Sequence, residues 1–415
     1  MKNYSTIEQV KIRLLYVFAF AICFQPVLPF GIEYLNLTWS LYFLYFIANI
    51  FTFQKSFSFN ADVRFIVLPI ALFWLLGLVM MYVDYQPFAT SAFADFRQML
   101  MGIALVLLMI NHLKGKSDEQ MMLLLFFVAS VTALAFSYLL NIRTTISDEG
   151  RMGVWGNNAN SVSLWNGLAV LILLNIMLQE KRKLFVKVVS VTLTVLFLVV
   201  MAKTGSRGGL AAFIAGYVVY FIMINKPLKI KIIAIFISAV AGIVGLFLML
   251  NYSVLKTRIA EQVVDDSFGG RKPVWDASVD MFMKNPVFGI GGGKYQVYIT
   301  DIMGRFFATH NEYLTILLYT GIFGFCFFLL FQYHLLKGVM RSGMKDSSPL
   351  MYSFIIMYLV WMFSAGGCLP SFTTWFVWGV VASFGAIPDK SFNNRSINFE
   401  QKKYTNSRNK SKARL

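Results

Sequence analysis

Charge is scarce in this sequence: Asp, Glu, Lys and Arg make up 14% of its 415 residues, against 58% hydrophobic residues. A soluble domain of this length could not cover its surface with so few charged groups. Cysteine is scarcer still: Cys23 and Cys326 fall inside apolar runs and Cys368 beside one, all far apart in the chain. That placing argues against a disulfide framework and against a zinc site. Histidine occurs three times, and no Asp-rich motif of the kind that cages a metal is present, so no metal site or cofactor is assigned, although scattered outer acids such as Asp84, Asp95, Asp265 and Asp266 leave a metal open.

What the sequence has in abundance is long apolar runs. A bilayer core about 30 Å thick needs roughly 20 apolar residues per helix, and such windows recur from residue 13 to residue 387. They lie at 13–30, 39–53, 65–83, 98–112, 120–140, 160–178, 184–202, 207–224, 230–250, 311–335, 349–366 and 370–387. The expected fold class is therefore an all-α polytopic membrane protein with about 12 transmembrane helices, one large outer loop near 251–309, and membrane lipid as its solvent. The first run lacks a small-residue cleavage signature and leads into further spans, so it reads as a retained helix.

The formal net charge of +17 could point to nucleic acid, but the basic residues sit where loops meet the membrane. With the N-terminus in the cytoplasm, alternate loops and the tail hold roughly 25 of the 37 Lys and Arg residues, as the positive-inside rule requires. Both termini are then cytoplasmic, and no nucleic-acid partner is needed. Residues 1–387 form one transmembrane domain in this reading. Residues 388–415 are polar and basic, cannot bury a core, and are expected to be a disordered cytoplasmic tail.

The remaining cations fall on the outer face, where topology gives no reason for them. Among them are Arg97, Arg143, Arg151, Arg207, Arg258, Arg271 and Arg305, and a guanidinium fork grips phosphate oxygens bidentately where Lys offers a point charge. In Lys203-Thr-Gly-Ser-Arg-Gly-Gly, Ser206 caps a helix whose first turn holds Arg207, Gly208 and Gly209. Such a turn makes an anion site, or alternatively a close-packed helix start. Between spans five and six, Arg151-Met-Gly-Val-Trp-Gly-Asn-Asn-Ala-Asn carries Trp155 and three amides able to bond sugar hydroxyls; the bland alternative is a turn with an interfacial Trp.

In the long loop, Arg271-Lys-Pro-Val-Trp starts a helix on which Trp275, Val279 and Phe282 form one apolar stripe suited to the membrane surface. The following Gly289-Ile-Gly-Gly-Gly lacks the spacing of a nucleotide loop and reads as a flexible turn. Thr309-His-Asn-Glu312 reads as a capping box with Thr309 at the N-cap, which places His310 in the first helical turn. The positive helix end and the nearby Arg residues disfavour an imidazolium there, leaving a neutral ring able to act as general base. His112 and His334, beside Lys114 and Lys337, read as interfacial residues.

The segment His310-Asn311, nine residues, then Gly321-Ile-Phe-Gly324 resembles the His-Asn…Gly…Gly signature of the O-antigen ligase and polymerase superfamily. Residues 204–209, and Arg271…Trp275 followed by Asn285-Pro286 and Gly289-Ile-Gly291, are similar to its other hallmarks. The resemblance implies a membrane-embedded glycosyltransferase of the GT-C type. It implies metal-independent transfer of glycan from undecaprenyl pyrophosphate to a hydroxyl on lipid A-core, on the periplasmic side of a bacterial inner membrane. His310 would activate the acceptor. Arg207, Arg271, Arg151 and Arg258, with Gly208, Gly209 and Asn311, would hold the substrates. A polymerase extending undecaprenyl-linked glycan, a protein O-oligosaccharyltransferase and a glycolipid transporter are the alternatives. Transport fits less well, because the mid-span regions lack ion pairs.

Overall fold

The computed structural model describes residues 5–24, 36–83, 90–146, 152–179, 182–229, 231–232, 236, 271–342 and 347–386. Helices α1 (Thr6–Ala21), α2 (Leu37–Ile50), the short α3 (Phe53–Ser56), α4 (Ala61–Val83), α5 (Thr90–Leu113) and α6 (Ser117–Leu139) open the chain. A β-hairpin of β1 (Thr144–Ile146) and β2 (Met152–Val154) follows, paired antiparallel with Thr145 opposite Gly153. Then come α7 (Ala159–Met177), α8 (Leu184–Thr204), α9 (Arg207–Met223), α10 (Lys272–Lys284), α11 (Gly292–Met303), α12 (Glu312–Arg341), α13 (Ser348–Trp361) and α14 (Phe372–Gly385).

The chain is a multi-pass, helical membrane protein. Six described helices, within α4, α5, α6, α7, α8 and α12, are long and apolar enough to cross a membrane, and α2, α9, α13 and α14 are shorter apolar helices. Eleven of the twelve apolar windows carry helix; most of 230–250, the 388–415 tail and the first part of the expected outer loop lie outside the described residues. Packing sets α7 inside the bundle and leaves α8 mostly outward. α13 lies on α9, α14 on α5, and α12 on α4. Trp375 and Trp378 of α14 meet edge to face at 5.2 Å, and Phe331 of α12 packs on both, so large rings fill the centre.

At one end of the bundle a buried polar network joins α1, α2, α3 and α5. Lys11 bonds Glu8 at 3.1 Å and Thr52 at 3.0 Å; His112 Nδ1 meets Tyr45 OH at 3.0 Å. His112 is thus a buried member of this network and not a simple interfacial residue.

At the other end, the residues expected to be loop pack as a helical hairpin. α10 buries Val274, Ser278 and Met281, one position away from the stripe read from the sequence. Val274 and Met281 join a small apolar cluster with Tyr295 and Ile299 of α11 and Leu318 of α12, which rewards that face over the other. Trp275 instead donates its indole N–H to the Thr309 carbonyl at 2.7 Å, and Val279 is exposed.

The turn between α10 and α11 docks into a break in α12. Gly321 has φ 63° and ψ −164°, so the helix loses its own ladder there. Ile290 N–H donates to Leu318 O at 2.7 Å, Ile322 N–H to Pro286 O at 2.9 Å and Phe323 N–H to Val287 O at 3.3 Å. These bonds supply the partners that the break takes away. The Gly-rich segment is therefore a buried, hydrogen-bonded wedge and not a flexible turn. Gly289 has φ +74°, and a Cβ there would stand 2.5 Å from Leu318 O. Replacing Gly289 by Ala should cost at least the ~1–2 kcal/mol of a left-handed L-residue, read as a lower melting temperature in detergent. An unchanged melting temperature would show that the wedge is not seated as described.

Candidate functional site

Three caps build the site. Asn158 Oδ1 accepts from Ser161 N–H at 2.9 Å and starts α7; Ser206 Oγ accepts from Gly209 N–H at 3.1 Å and starts α9. Ser206 also donates to Asn160 Oδ1 at 2.8 Å, which sets the two helix N-termini side by side. The third cap corrects the capping box. Asn311, not Thr309, is the N-cap of α12, its Oδ1 accepting from Leu314 N–H at 3.2 Å. His310 lies outside the helix with φ 50°, a left-handed conformation uncommon in residues other than glycine. Thr309 is buried, its hydroxyl 2.7 Å from that of Thr315.

Glu312 could not complete the box because its carboxylate has partners elsewhere. It accepts from Leu369 N–H at 3.0 Å and Cys368 N–H at 3.3 Å, while its own N–H donates to Met362 O at 2.8 Å. Both ends of the 362–371 connection between α13 and α14 are thereby tied to the first residue of α12. The connection also meets the other candidate residues. Arg271 donates to Ser364 O at 3.2 Å, Gly208 is pressed against the Ser364 side chain, and a Cβ on Gly366 would lie 3.4 Å from His310 Cα.

Around this connection opens a cleft of about 530 Å³. His310, Arg271, Trp361, Ala365 and Gly366 form one part of its wall. Thr145 and Ile146 of β1, Gly153 of β2 and the stretch Gly156 to Asn160 form the rest. Asn157 is fixed there by its Nδ2, which donates to Cys23 O at 2.8 Å. Trp155 stands apart from the lining, held by Arg143 over its ring at 4.7 Å and by Phe24 edge-on at 5.6 Å. A neutral imidazole can accept a proton, a guanidinium can bind an anion, and amides bond hydroxyls, so the cleft has the chemistry for a charged, hydroxyl-rich substrate.

The structure brings together His310 and Arg271 and sets the 157–160 amides opposite them. Arg207 is exposed at the start of α9, next to Gly208 and Ser206, but does not line the cleft. Gly209 is buried, its N–H taken by Ser206 and its Cα face against Ser163, so close packing accounts for it. Asn311 spends its side-chain oxygen on the cap and is absent from the lining. Arg151 and Arg258 lie outside the described residues. Among the described residues, no three His, Cys, Asp or Glu side chains gather as a metal site would require. The sequence reading missed the 362–371 connection; its small-residue run Ser364-Ala-Gly-Gly-Cys, across the end of the 349–366 window, was the available signal.

Residues 192–329 match the family model described as O-antigen ligase. The matched stretch runs from α8 to the middle of α12 and contains Arg207, Arg271 and His310, but neither the β-hairpin nor the 362–371 connection. No curated protein matches the chain.

Glu312→Ala should strand two buried backbone donors at about 1–3 kcal/mol each and loosen the cleft wall, whereas Glu312→Gln keeps an acceptor and should lose less. Unfolding in detergent checks the order; equal stability of wild type and Ala variant would refute the tie.

Proposed function

We propose that this chain, a member of the O-antigen ligase family through residues 192–329, transfers O-antigen glycan from undecaprenyl pyrophosphate to a hydroxyl of lipid A-core. The reaction takes place at the periplasmic face of a bacterial inner membrane. Residues 1–387 form the glycosyltransferase domain, and the basic stretch 388–415 is a cytoplasmic tail. The observation that carries this reading is that Arg271, at the N-cap of α10, and His310, just ahead of α12, line one cleft with the Asn157–Asn160 amides.

The acceptor hydroxyl attacks the anomeric carbon of the donor while His310 takes its proton. A new C–O bond forms as the bond to pyrophosphate breaks, and undecaprenyl pyrophosphate leaves. Pyrophosphate is already a good leaving group, so charge stabilisation matters more than acid catalysis. Arg271 supplies it from within the cleft. Arg207, beside the paired N-termini of α7 and α9, adds positive potential at the rim. Arg151 and Arg258 complete the set of proposed donor ligands. Attack by a single acceptor on the face opposite the leaving group inverts the anomeric configuration, and no step calls for a metal.

Reconstitution with undecaprenyl-linked glycan and lipid A-core, scored by product mass, tests the reading. Glycan-capped core is the expected product. His310→Gln, which keeps hydrogen bonding but not useful proton uptake, should lower turnover by about 10²–10⁴ with donor binding intact. Arg271→Lys should raise the donor KM, since the bidentate fork is lost. Longer undecaprenyl-linked glycan with untouched core would make the enzyme a polymerase instead. Turnover by the Gln variant within a few-fold of wild type would remove His310 as the base.

A further inference from the structure

The hairpin of α10 and α11 leaves a row of apolar side chains uncovered. Met283 is 68% exposed, and Val279, Val287 and Phe288 are each near half exposed. The row does not end on the hairpin. The Phe288 ring stacks on Phe323 of α12 at 5.3 Å, and Phe323 and Ile322 are themselves exposed, on the helix that also shows Leu329 and Leu330 outward. The patch is thus continuous with the outward apolar side of a candidate membrane span. Exposed Lys284 stands beside Met283 on a stem long enough to carry its ammonium toward the headgroups, and the apolar patch around it needs a partner, unlike isolated exposed hydrophobic residues.

Two helices measure how deep the patch lies. Phe65 of α4 stacks on His334 of α12 at 5.4 Å, so the basic ends of the two helices, marked by Arg64 and Lys337, stand at one level. Ile322, bonded to Pro286 O, is fifteen positions before Lys337, or about 22 Å along the axis at the ~1.5 Å helical rise. Met80, whose carbonyl lies against Gly291, is sixteen positions after Arg64, or about 24 Å. A hydrocarbon core about 30 Å thick with those cations at one edge therefore extends roughly 6–8 Å past the turn. Irregular backbone at such depth must find its partners within protein. The turn does so: Ile290 N–H and the carbonyls of Pro286 and Val287 bond the broken α12, and Gly289 N–H bonds Asn285 O.

We propose that α10, the 285–291 turn and α11 form a re-entrant hairpin whose tip, Met283, Val287 and Phe288, is immersed in the acyl chains of the leaflet on the cleft side. Lipid tails are the partner of the patch. Only the naming of that leaflet as the outer one rests on the function proposed above. Trp275, one turn into α10, reaches Thr309 at the head of α12, so an immersed tip holds Arg271 in the headgroup zone. A lipid-borne phosphate would lie at that same depth.

The test uses the full chain in phosphatidylethanolamine–phosphatidylglycerol liposomes. Exposed Cys326 is replaced by Ser, and a nitroxide is placed on a single new Cys at Met283, at Phe288 or, as control, at exposed Asp301. Power saturation should show the labels at 283 and 288 relaxed several-fold more by oxygen, which concentrates in lipid, than by a water-soluble nickel chelate. The label at 301 should show the reverse. Met283 is 68% exposed and takes no part in the wedge's hydrogen bonds to α12, so its label reads the patch even if the one at 288 disturbs the docking. Nickel access at 283 and 288 equal to that at 301 would overturn the proposal. Shielding from both reagents would overturn it as well, by showing a protein on the patch. Glycan transfer is assayed separately on the unlabelled chain: an immersed tip without transfer faults the functional reading alone, and transfer with a water-exposed tip faults this proposal alone.

Discussion

The break in α12 at Gly321 is the constraint on which the cleft end of the molecule depends. A helix interrupted inside an apolar bundle leaves carbonyls and N–H groups that lipid cannot satisfy. Here the 286–290 segment satisfies them through Leu318 O and the N–H groups of Ile322 and Phe323. Both glycines at the junction carry positive φ, and a Cβ on either would run into the backbone of the other segment. The wedge and the break therefore require one another. Docking the turn fixes the direction of α10, and that direction delivers Arg271 and Trp275 to the head of α12.

From there a second set of tethers forms the cleft. Glu312 holds the 362–371 connection by its carboxylate and its backbone. Arg271 reaches the same connection at Ser364, and Gly366 leans on His310. Paired caps at Asn158 and Ser206 bring α7 and α9 to the opposite side. The two residues proposed to share the chemistry are thus positioned by backbone and buried-carboxylate bonds.

Much of this was legible in the sequence where the signal is local. Apolar length placed the helices, and Ser206 announced the start of α9 through cap chemistry alone. The failures share one cause: a local rule met a better partner from a distance. Glu312 fits a capping box by spacing, but its carboxylate accepts instead from the N–H groups of residues 368 and 369 across space. Trp275, Val279 and Phe282 make a sound stripe, yet Tyr295, Ile299 and Leu318 reward the face one position away. The glycines of 289–293 reveal a need for positive φ or close approach, and the sequence cannot distinguish a loose turn from a wedge. His310 and Arg271 were singled out as chemistry-bearing residues, but that they share a cleft with the 157–160 amides depends on three separate tertiary tethers.

The most direct test of the account is a crosslink across the break. Cys placed at Val287 and Phe323, in a chain with Cys326 replaced by Ser, sits where the two segments already meet, Phe323 N–H donating to Val287 O at 3.3 Å, and a disulfide or short bifunctional thiol crosslinker would join them there. Ready closure to the crosslinked form and full glycan transfer with the bond closed are expected, because the docked hairpin is the working state. A pair that fails to close, or a closed pair that has lost transfer and regains it on reduction, would contradict it.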